Sequence, residues 1–290
     1  LFIPMNLNLK NITFIIVTFK SEKIIYECIN SLPKDSYKIV IENSKNIKLK
    51  EELETKYDNI EVIINENIGM GASNNIGIKK SKTKYAFIIN PDVKFNNDTL
   101  KKIFETSESI NDFAILSPIN SDPSYPNYKE SNDNKNINEN IISVDYVDGF
   151  SMLINKEKFK DEDFFDENFF LYLENNDLCL RTKKNGQNIY LIKNSILNHL
   201  GASSTDKLFA KKIEYFRNWH WMWSKFYFNK KHYGYFNALN KVILNFLSAI
   251  FKYIFYFILF NSHKRNIYLM RICGLFNSMI GKKSWFRIKD

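Results

Sequence analysis

The run "FFLYLENNDLCLR" (residues 169–181) leads aromatic side chains into Glu174, then two amides, then Asp177 and Arg181. A carboxylate so placed can act as a general base if it comes within hydrogen-bond reach of a reacting hydroxyl. A second group stands in "IINPDV" (88–93), where an apolar run ends in Asn90, Pro91 and Asp92. A carboxylate behind a rigid X-Pro turn suits a hard divalent cation. Mg²⁺ or Mn²⁺ shared with a diphosphate needs only one or two protein ligands, because phosphate oxygens complete the shell. Glu42 ends another apolar run, and His199 stands among Leu197, Leu200 and Gly201.

Each of these residues also has an ordinary reading. Asp92 can simply form a turn, Glu42 can be a solvated strand end, and His199 can be a satisfied, partly buried histidine. Arg181, four residues after Asp177, can form a helix salt bridge. Gly69 and Gly71 suit a tight loop before a helix, and the spacing of a dinucleotide fingerprint is not completed there.

The elements that must position these groups follow a recognisable alternation. "ITFIIVTF" (12–19), "YKIVIEN" (37–43), "IEVIIN" (60–65) and "YAFIINPDV" (85–93) read as strands. Between them, 21–32, 49–57 and 71–81 read as helices, the first with Ser21 as N-cap. Continuous apolar strands joined by helices argue a mostly parallel sheet covered on both faces. Ligands in such sheets sit at the carboxyl ends of the strands, where Thr18, Glu42, Asn90 and Asp92 fall. Residues 120–140 read as a polar surface loop, 143–159 returns to strand character, and 188–204 reads as two strands broken at Asn194, then a small-residue loop.

The 290 residues are 44 % hydrophobic, enough for a sizeable core. Cys28, Cys179 and Cys273 are far apart and form no metal spacing, which predicts reduced thiols. The N-terminal run does not read as a signal peptide, so a cytoplasmic protein is expected. Charge is uneven. From Lys207 to Asp290 there are 16 Lys+Arg and 2 Asp+Glu, an excess of +14; residues 1–206 hold 25 and 30, an excess of −5. The basic part is densely aromatic at 216–228 and carries "VILNFLSAIFKYIFYFILF" (242–260), with Lys252 its one charge. That run just reaches a transmembrane length. Aromatic residues at an interface and basic flanks favour an anionic membrane surface over nucleic acid as partner. A span, an interfacial helix and a buried hairpin in a soluble helical subdomain all remain open for the run.

Taken in order, "IIVTF", "IENS", "NENIGMGASNNIG", "IINPDV", "VDGFSMLI", "FFLYLENNDLCLR" and "LNHLGASS" resemble the motifs of family 2 glycosyltransferases, most closely the rhamnosyltransferase-like branch that builds bacterial surface polysaccharides. The resemblance covers roughly residues 10–205. It implies a GT-A fold: a Rossmann-like, mixed, mostly parallel sheet with helices on both faces. Here residues 1–100 would be the nucleotide-sugar half, 101–205 the acceptor-binding and catalytic half, and 206–290 a helical membrane-associating region. It implies inverting transfer of rhamnose or another hexose from a dTDP- or UDP-linked donor, with a divalent cation. The acceptor would be a growing glycan or a polyprenyl-linked molecule, at the cytoplasmic face of the inner membrane.

By the same resemblance, Thr18, Phe19 and Glu42 would line the base and ribose pocket, with Glu42 where Asp is more usual. Asn67, Gly69, Asn74 and Asn75 would lie along the nucleotide and sugar. Asn90 and Asp92 occupy the metal-binding acidic pair, with Asn in the first place. His199 would complete the metal site and Gly149 would lie beside the acceptor. Relatives carry two adjacent acids in the 169–181 motif, the second often cited as base. Asn175 fills that second place and cannot take a proton, which leaves Glu174, favoured, and Asp177 as candidates. The substitution also motivates a different reading, a nucleotide-sugar-binding scaffold that has lost catalysis. A nucleotidyltransferase would need a Gly-rich basic loop after strand one, which "VTFKSEKII" does not supply.

Overall fold

The computed structural model describes residues 7–110, 112–133, 135–201 and 207–288. The opening of the N-terminal run (1–6) and the end of the small-residue loop (202–204) lie outside the described residues. The chain divides into two compact units, Leu1–Asp166 with Asn175–Ser204, and Glu167–Glu174 with Thr205–Asp290.

In the first unit, β1 (Ile12–Thr18), β2 (Tyr37–Glu42), β3 (Ile60–Ile64) and β4 (Tyr85–Ile89) pair in parallel in the order β3-β2-β1-β4. They are joined by α1 (Ile25–Ser31), α2 (Ile47–Lys56) and α3 (Met70–Lys80). Every residue of β1 is buried. Phe14 and Ile16 enter one core with Val40 and Phe87, while Ile15 and Val17 enter the other with Ile41 and Ile88. Successive side chains point to opposite faces, and both faces are covered, so the strand reads as an unbroken apolar run. Each such side chain contributes about 2 kcal/mol of burial. α3 lies close on β1, since a Cβ at Gly77 would overlap Cγ2 of Ile15.

The sheet continues through β6 (Ile115–Asn120), β7 (Tyr128–Glu130), β8 (Ile141–Val147), β9 (Ser151–Asn155) and β10 (Ile189–His199), in the order β4-β9-β6-β10-β8-β7. A short β5 (Val93–Phe95) pairs with β10. Strands β1–β4, β6, β7 and β10 run one way; β5, β8 and β9 run the other. The sheet is therefore mixed and mostly parallel, as the sequence predicts. Two helices complete the unit, α4 (Thr99–Ser107) and α5 (Glu174–Lys184), the latter beginning at the boundary between the units.

Several details differ from the sequence reading. The first helix starts at Ile25 with Ile24, not Ser21, as its N-cap; the Ser21 carbonyl accepts from the Ile24 and Ile25 N–H groups, while its hydroxyl donates to Phe19 O. Residues 94–119, which the sequence reading leaves unassigned, hold most of β5 together with α4 and β6. Residues 143–159 hold two strands joined by a turn at Gly149–Phe150. The break at Asn194 is a register shift within one long strand, between Ile192 and Ile196 opposite β6.

The second unit holds α6 (Lys207–Tyr233), α7 (Tyr235–Ile258) and α8 (Ser262–Met279). Gly234 joins α6 to α7 at φ 84°, a conformation that favours glycine. Trp219, Met222 and Phe226 of α6 are buried, with Ala238 and Val242 of α7 and Leu275 of α8. The segment 167–174 belongs to this unit. Phe170 packs on Phe216 and His220, the Arg287 guanidinium sits 3.5 Å from its ring centroid, and Leu171 O accepts from Ser224 Oγ at 2.8 Å. Burial pushes the pKa of His220 down to about 3, and its ring nitrogens bond Phe286 O and Ser284 Oγ. It is a neutral structural histidine. Among the described residues α7 is the one helix long and apolar enough to cross a membrane, and 11 % of its most apolar window is buried.

Candidate functional site

The carboxyl ends of β1–β3 bring several predicted residues together. Thr18 and Glu42 are register partners at the ends of β1 and β2. Thr18 is fully buried, yet its Oγ1 has no hydrogen-bond partner among the described residues; the same holds for Asn65 Nδ2 after β3 and Asn74 Oδ1 in α3. Buried polar atoms are normally paired, so two orphans at strand ends and a third in the first turns of α3 mark a place built for a polar ligand. Gly69 supplies the turn into α3 with φ 104°, and Asn67 lies half-buried just before it. Phe19 follows Thr18 and is half-buried.

Two predicted donor residues are already engaged in the protein. Glu42 is buried, not a solvated strand end. Its Oε1 accepts from the Ser44 N–H and hydroxyl, and its Oε2 from the Asn46 N–H at 2.6 Å. It holds the turn that starts α2. Asn75 donates to Phe165 O at 2.8 Å and accepts from Phe165 N–H at 3.0 Å, which ties α3 to the 165 loop.

Asp92 and His199 do meet. Val93 of β5 is the register partner of His199 in β10, and Leu200 N–H donates to Asp92 O at 3.0 Å. This pairing sets His199 Nε2 3.4 Å from Asp92 Oδ1, with side chains 17 % and 16 % exposed. Phe150 stacks on the imidazole with centroids 4.2 Å apart, and Asn90 N–H donates to Phe150 O at 2.9 Å. Asp148 lies beside Tyr125 and His199; burial holds its carboxyl above the usual range, against the pull of both neighbours. Sequence reasoning passed over Asp148, Phe150 and Tyr125; the only signal was the "DGF" turn inside a strand-like run.

One carboxylate oxygen and one imidazole nitrogen converge at a partly open position. No third His, Cys, Asp or Glu joins them among the described residues. That set suits Mg²⁺ or Mn²⁺ sharing its shell with diphosphate oxygens and water, and does not suit an all-protein cage.

α5 carries the opening motif. Glu174, its first residue, is 8 % exposed, and its Oε2 has no partner among the described residues. Burial pushes its pKa up to about 7. Tyr172 and Leu173, just before it, sit at φ 71° and 66°, left-handed values that cost non-glycine residues of order 1 kcal/mol each. Asp177 is fully buried and paired: Arg181 Nε donates to its Oδ2 at 2.9 Å. Arg181 also donates to Asp163 Oδ2 and to the carbonyls of Asp163 and Phe164. Asn175 Nδ2 donates to Val147 O at 2.9 Å, and a Cβ on Gly149 would come 3.3 Å from the Asn175 Cβ. The amide therefore makes a bond that an ionised carboxylate, an acceptor only, could not make.

Residues 13–174, more than half of the chain, match the family model for glycosyl transferase family 2. The chain belongs to that family. It is 25 % identical over 204 residues to the low-salt glycan biosynthesis hexosyltransferase Agl10 of Haloferax volcanii, covering 62 % of this chain and 64 % of that protein. The chain thus spans less than two thirds of that relative's length. It is 26 % identical over 236 residues to the rhamnosyltransferase WbbL of Escherichia coli K12, covering 71 % of this chain and 88 % of that one. The mannosyltransferase PcManGT from Pyrobaculum calidifontis, solved with GDP-Man and Mn²⁺, has a TM-score of 0.57 at 10 % identity, covering 94 % of this chain and 88 % of that chain. At that identity the likeness concerns the fold.

Proposed function

We propose that the protein is an inverting, divalent-cation-dependent glycosyltransferase. It would move rhamnose or another hexose from a dTDP- or UDP-linked donor to a hydroxyl of a glycan or polyprenyl-linked acceptor. Family membership supports the reaction class. The observation that carries the assignment of roles is Glu174: buried, unpaired at Oε2, preceded by two strained residues, and poised near pH 7. Perturbed acids of this kind cluster at functional sites, and a base with a pKa near 7 is matched to its task.

In this reading Glu174 takes the proton of the acceptor hydroxyl as it attacks the anomeric carbon opposite the leaving diphosphate. Asp92 and His199 would hold the cation, which supplies stabilisation of negative charge on the departing phosphates. Thr18, Asn65 and Asn74 offer their unpaired groups to the nucleotide sugar, in a pocket whose wall Glu42 and Asn75 keep rigid. Phe19, Asn67, Gly69 and Asn90 line the donor side, and Gly149 the acceptor side. Asn175 fixes α5 to the end of β8.

The helical unit would place the enzyme on an anionic membrane at its cytoplasmic face. The exposed residues Leu244, Leu247, Phe251, Ile254, Phe255 and Ile258 support this. They form one stripe on α7 at helical spacing.

Purified full-length protein screened against nucleotide sugars with Mn²⁺ or Mg²⁺ tests the reading. Transfer that is lost in Asp92→Ala and Glu174→Gln supports it. Donor binding without turnover in the wild type would instead favour the scaffold reading that Asn175 motivates.

A further inference from the structure

The helical unit contains a cavity of about 150 Å³ lined by Lys225, Asn245, Ser248, Lys252, Tyr268 and Arg271, from all three helices. Lys252 Nζ and the Arg271 guanidinium both lie 5.4 Å from the centroid of the Tyr268 ring. Lys225 Nζ donates to Asn245 Oδ1 at 2.9 Å, and Arg271 Nε to Asn218 Oδ1 at 2.6 Å. None of the three cations pairs with a carboxylate among the described residues; nearby acid Glu214 is engaged with His263 at 3.1 Å. Lysine carries three N–H donors and arginine five, so each keeps donors to spare. Three like charges around one small cavity repel one another, and an anion among them converts that repulsion into charge-assisted hydrogen bonds.

The cavity borders the apolar stripe of α7. Ser248 follows exposed Leu247, and Lys252 follows exposed Phe251. A soluble anion would fill the cavity and leave the stripe in water. A phosphate bearing acyl chains satisfies both. The same geometry opposes a transmembrane placement. Ser248 and Ala249, at the middle of α7, share the cavity with Lys225 and Arg271. A spanning α7 would carry those cations into the bilayer centre, where ionised side chains are strongly disfavoured.

We infer that this cavity binds the phosphate group of an anionic lipid while α7 lies in the plane of the interface. The inference rests on the membrane placement proposed above. The test is sedimentation of full-length protein with vesicles of phosphatidylcholine, alone or with a third phosphatidylglycerol. A triple variant, Lys225→Gln, Lys252→Gln and Arg271→Gln, is compared with a control that removes equal charge elsewhere, Lys211→Gln, Lys230→Gln and Lys283→Gln. The cavity variant should lose about tenfold more affinity for the anionic vesicles than the control. The single variant Lys252→Gln, at an exposed position, should lose part of that affinity without unfolding, and Lys252→Arg should retain it.

Equal losses in the two triples would reduce the attraction to bulk charge and overturn the inference, with the membrane placement intact. Failure to bind either vesicle would overturn both. Inorganic phosphate that raises the thermal midpoint without vesicles, and does so only with the cavity cations present, would assign the site to a free anion and also overturn it.

Discussion

His199 Nε2 faces Asp92 Oδ1 at 3.4 Å because Val93 and His199 are register partners across β5 and β10. The pair is thus a product of sheet registry, fixed by backbone bonds on both sides. Such a site is formed before any ligand arrives, which favours tight use of few protein ligands.

If the two residues hold the cation, their loss should act through metal. Asp92→Ala should abolish Mn²⁺-dependent donor binding. His199→Ala should raise the Mn²⁺ concentration for half-maximal activity about tenfold or more, with recovery in excess metal. Mn²⁺ titration of activity and of donor binding checks both. A His199→Ala enzyme with unchanged metal demand would remove His199 from the cation site.

Glu174 predicts a pH dependence with a worked sign. A general base must be deprotonated, so activity should rise with pH through about 7 and then level. Glu174→Gln should lower kcat by about 10²–10⁴ and flatten the profile. Stability should move the opposite way. The folded pKa of about 7 lies above the ordinary glutamate value of 4.5, so the folded state binds the extra proton between these values. Stability then falls as pH rises across that window, by on the order of 3 kcal/mol in all. Glu174→Gln lacks this slope and should be the more stable protein at pH 8. Thermal midpoints at pH 5 and pH 8 read the difference directly.

Asn175→Asp installs the second acid that the family resemblance implies, and should not create a better enzyme. It would set a carboxylate 2.9 Å from Val147 O in place of an N–H donor. The buried mismatch should cost about 1–3 kcal/mol. Lower urea stability without higher kcat is the expected result; a gain in kcat would show that the second acidic place is still catalytic here.

Much of this was legible before any coordinates. β1–β4 announce themselves because strands buried on both faces are apolar throughout. β5 and β7, three residues each, are too short to show a period. Glu174, Asp92 and His199 could each be singled out by residue type and position. That Asp92 meets His199 is implied by the family resemblance alone; residue pattern does not show it, because it depends on a pairing more than a hundred residues apart. Nor does it show the occupation of Glu42 and Asn75, whose partners are mostly backbone groups that sequence leaves silent. The helical unit's claim on 167–174 was hidden for a related reason: the aromatics that lead into Glu174 find their partners on α6.

The two carboxylates of α5 can be separated by one pair of variants. Asp177 is fully buried and bonded to Arg181, which also grips Asp163 and Phe164. Asp177→Asn weakens a buried charge-assisted hydrogen bond while Arg181 keeps its ion pair with Asp163, a loss of about 1–3 kcal/mol. It should therefore lower the unfolding midpoint. Well below that midpoint it should keep an activity profile that still rises through about pH 7, because the titrating base is untouched. Glu174→Gln should do the reverse, losing the rate and the inflection while the fold holds. If Asp177→Asn instead erased the inflection and spared stability, the roles of the two acids would be exchanged, and Arg181 would be read as the group that tunes the base.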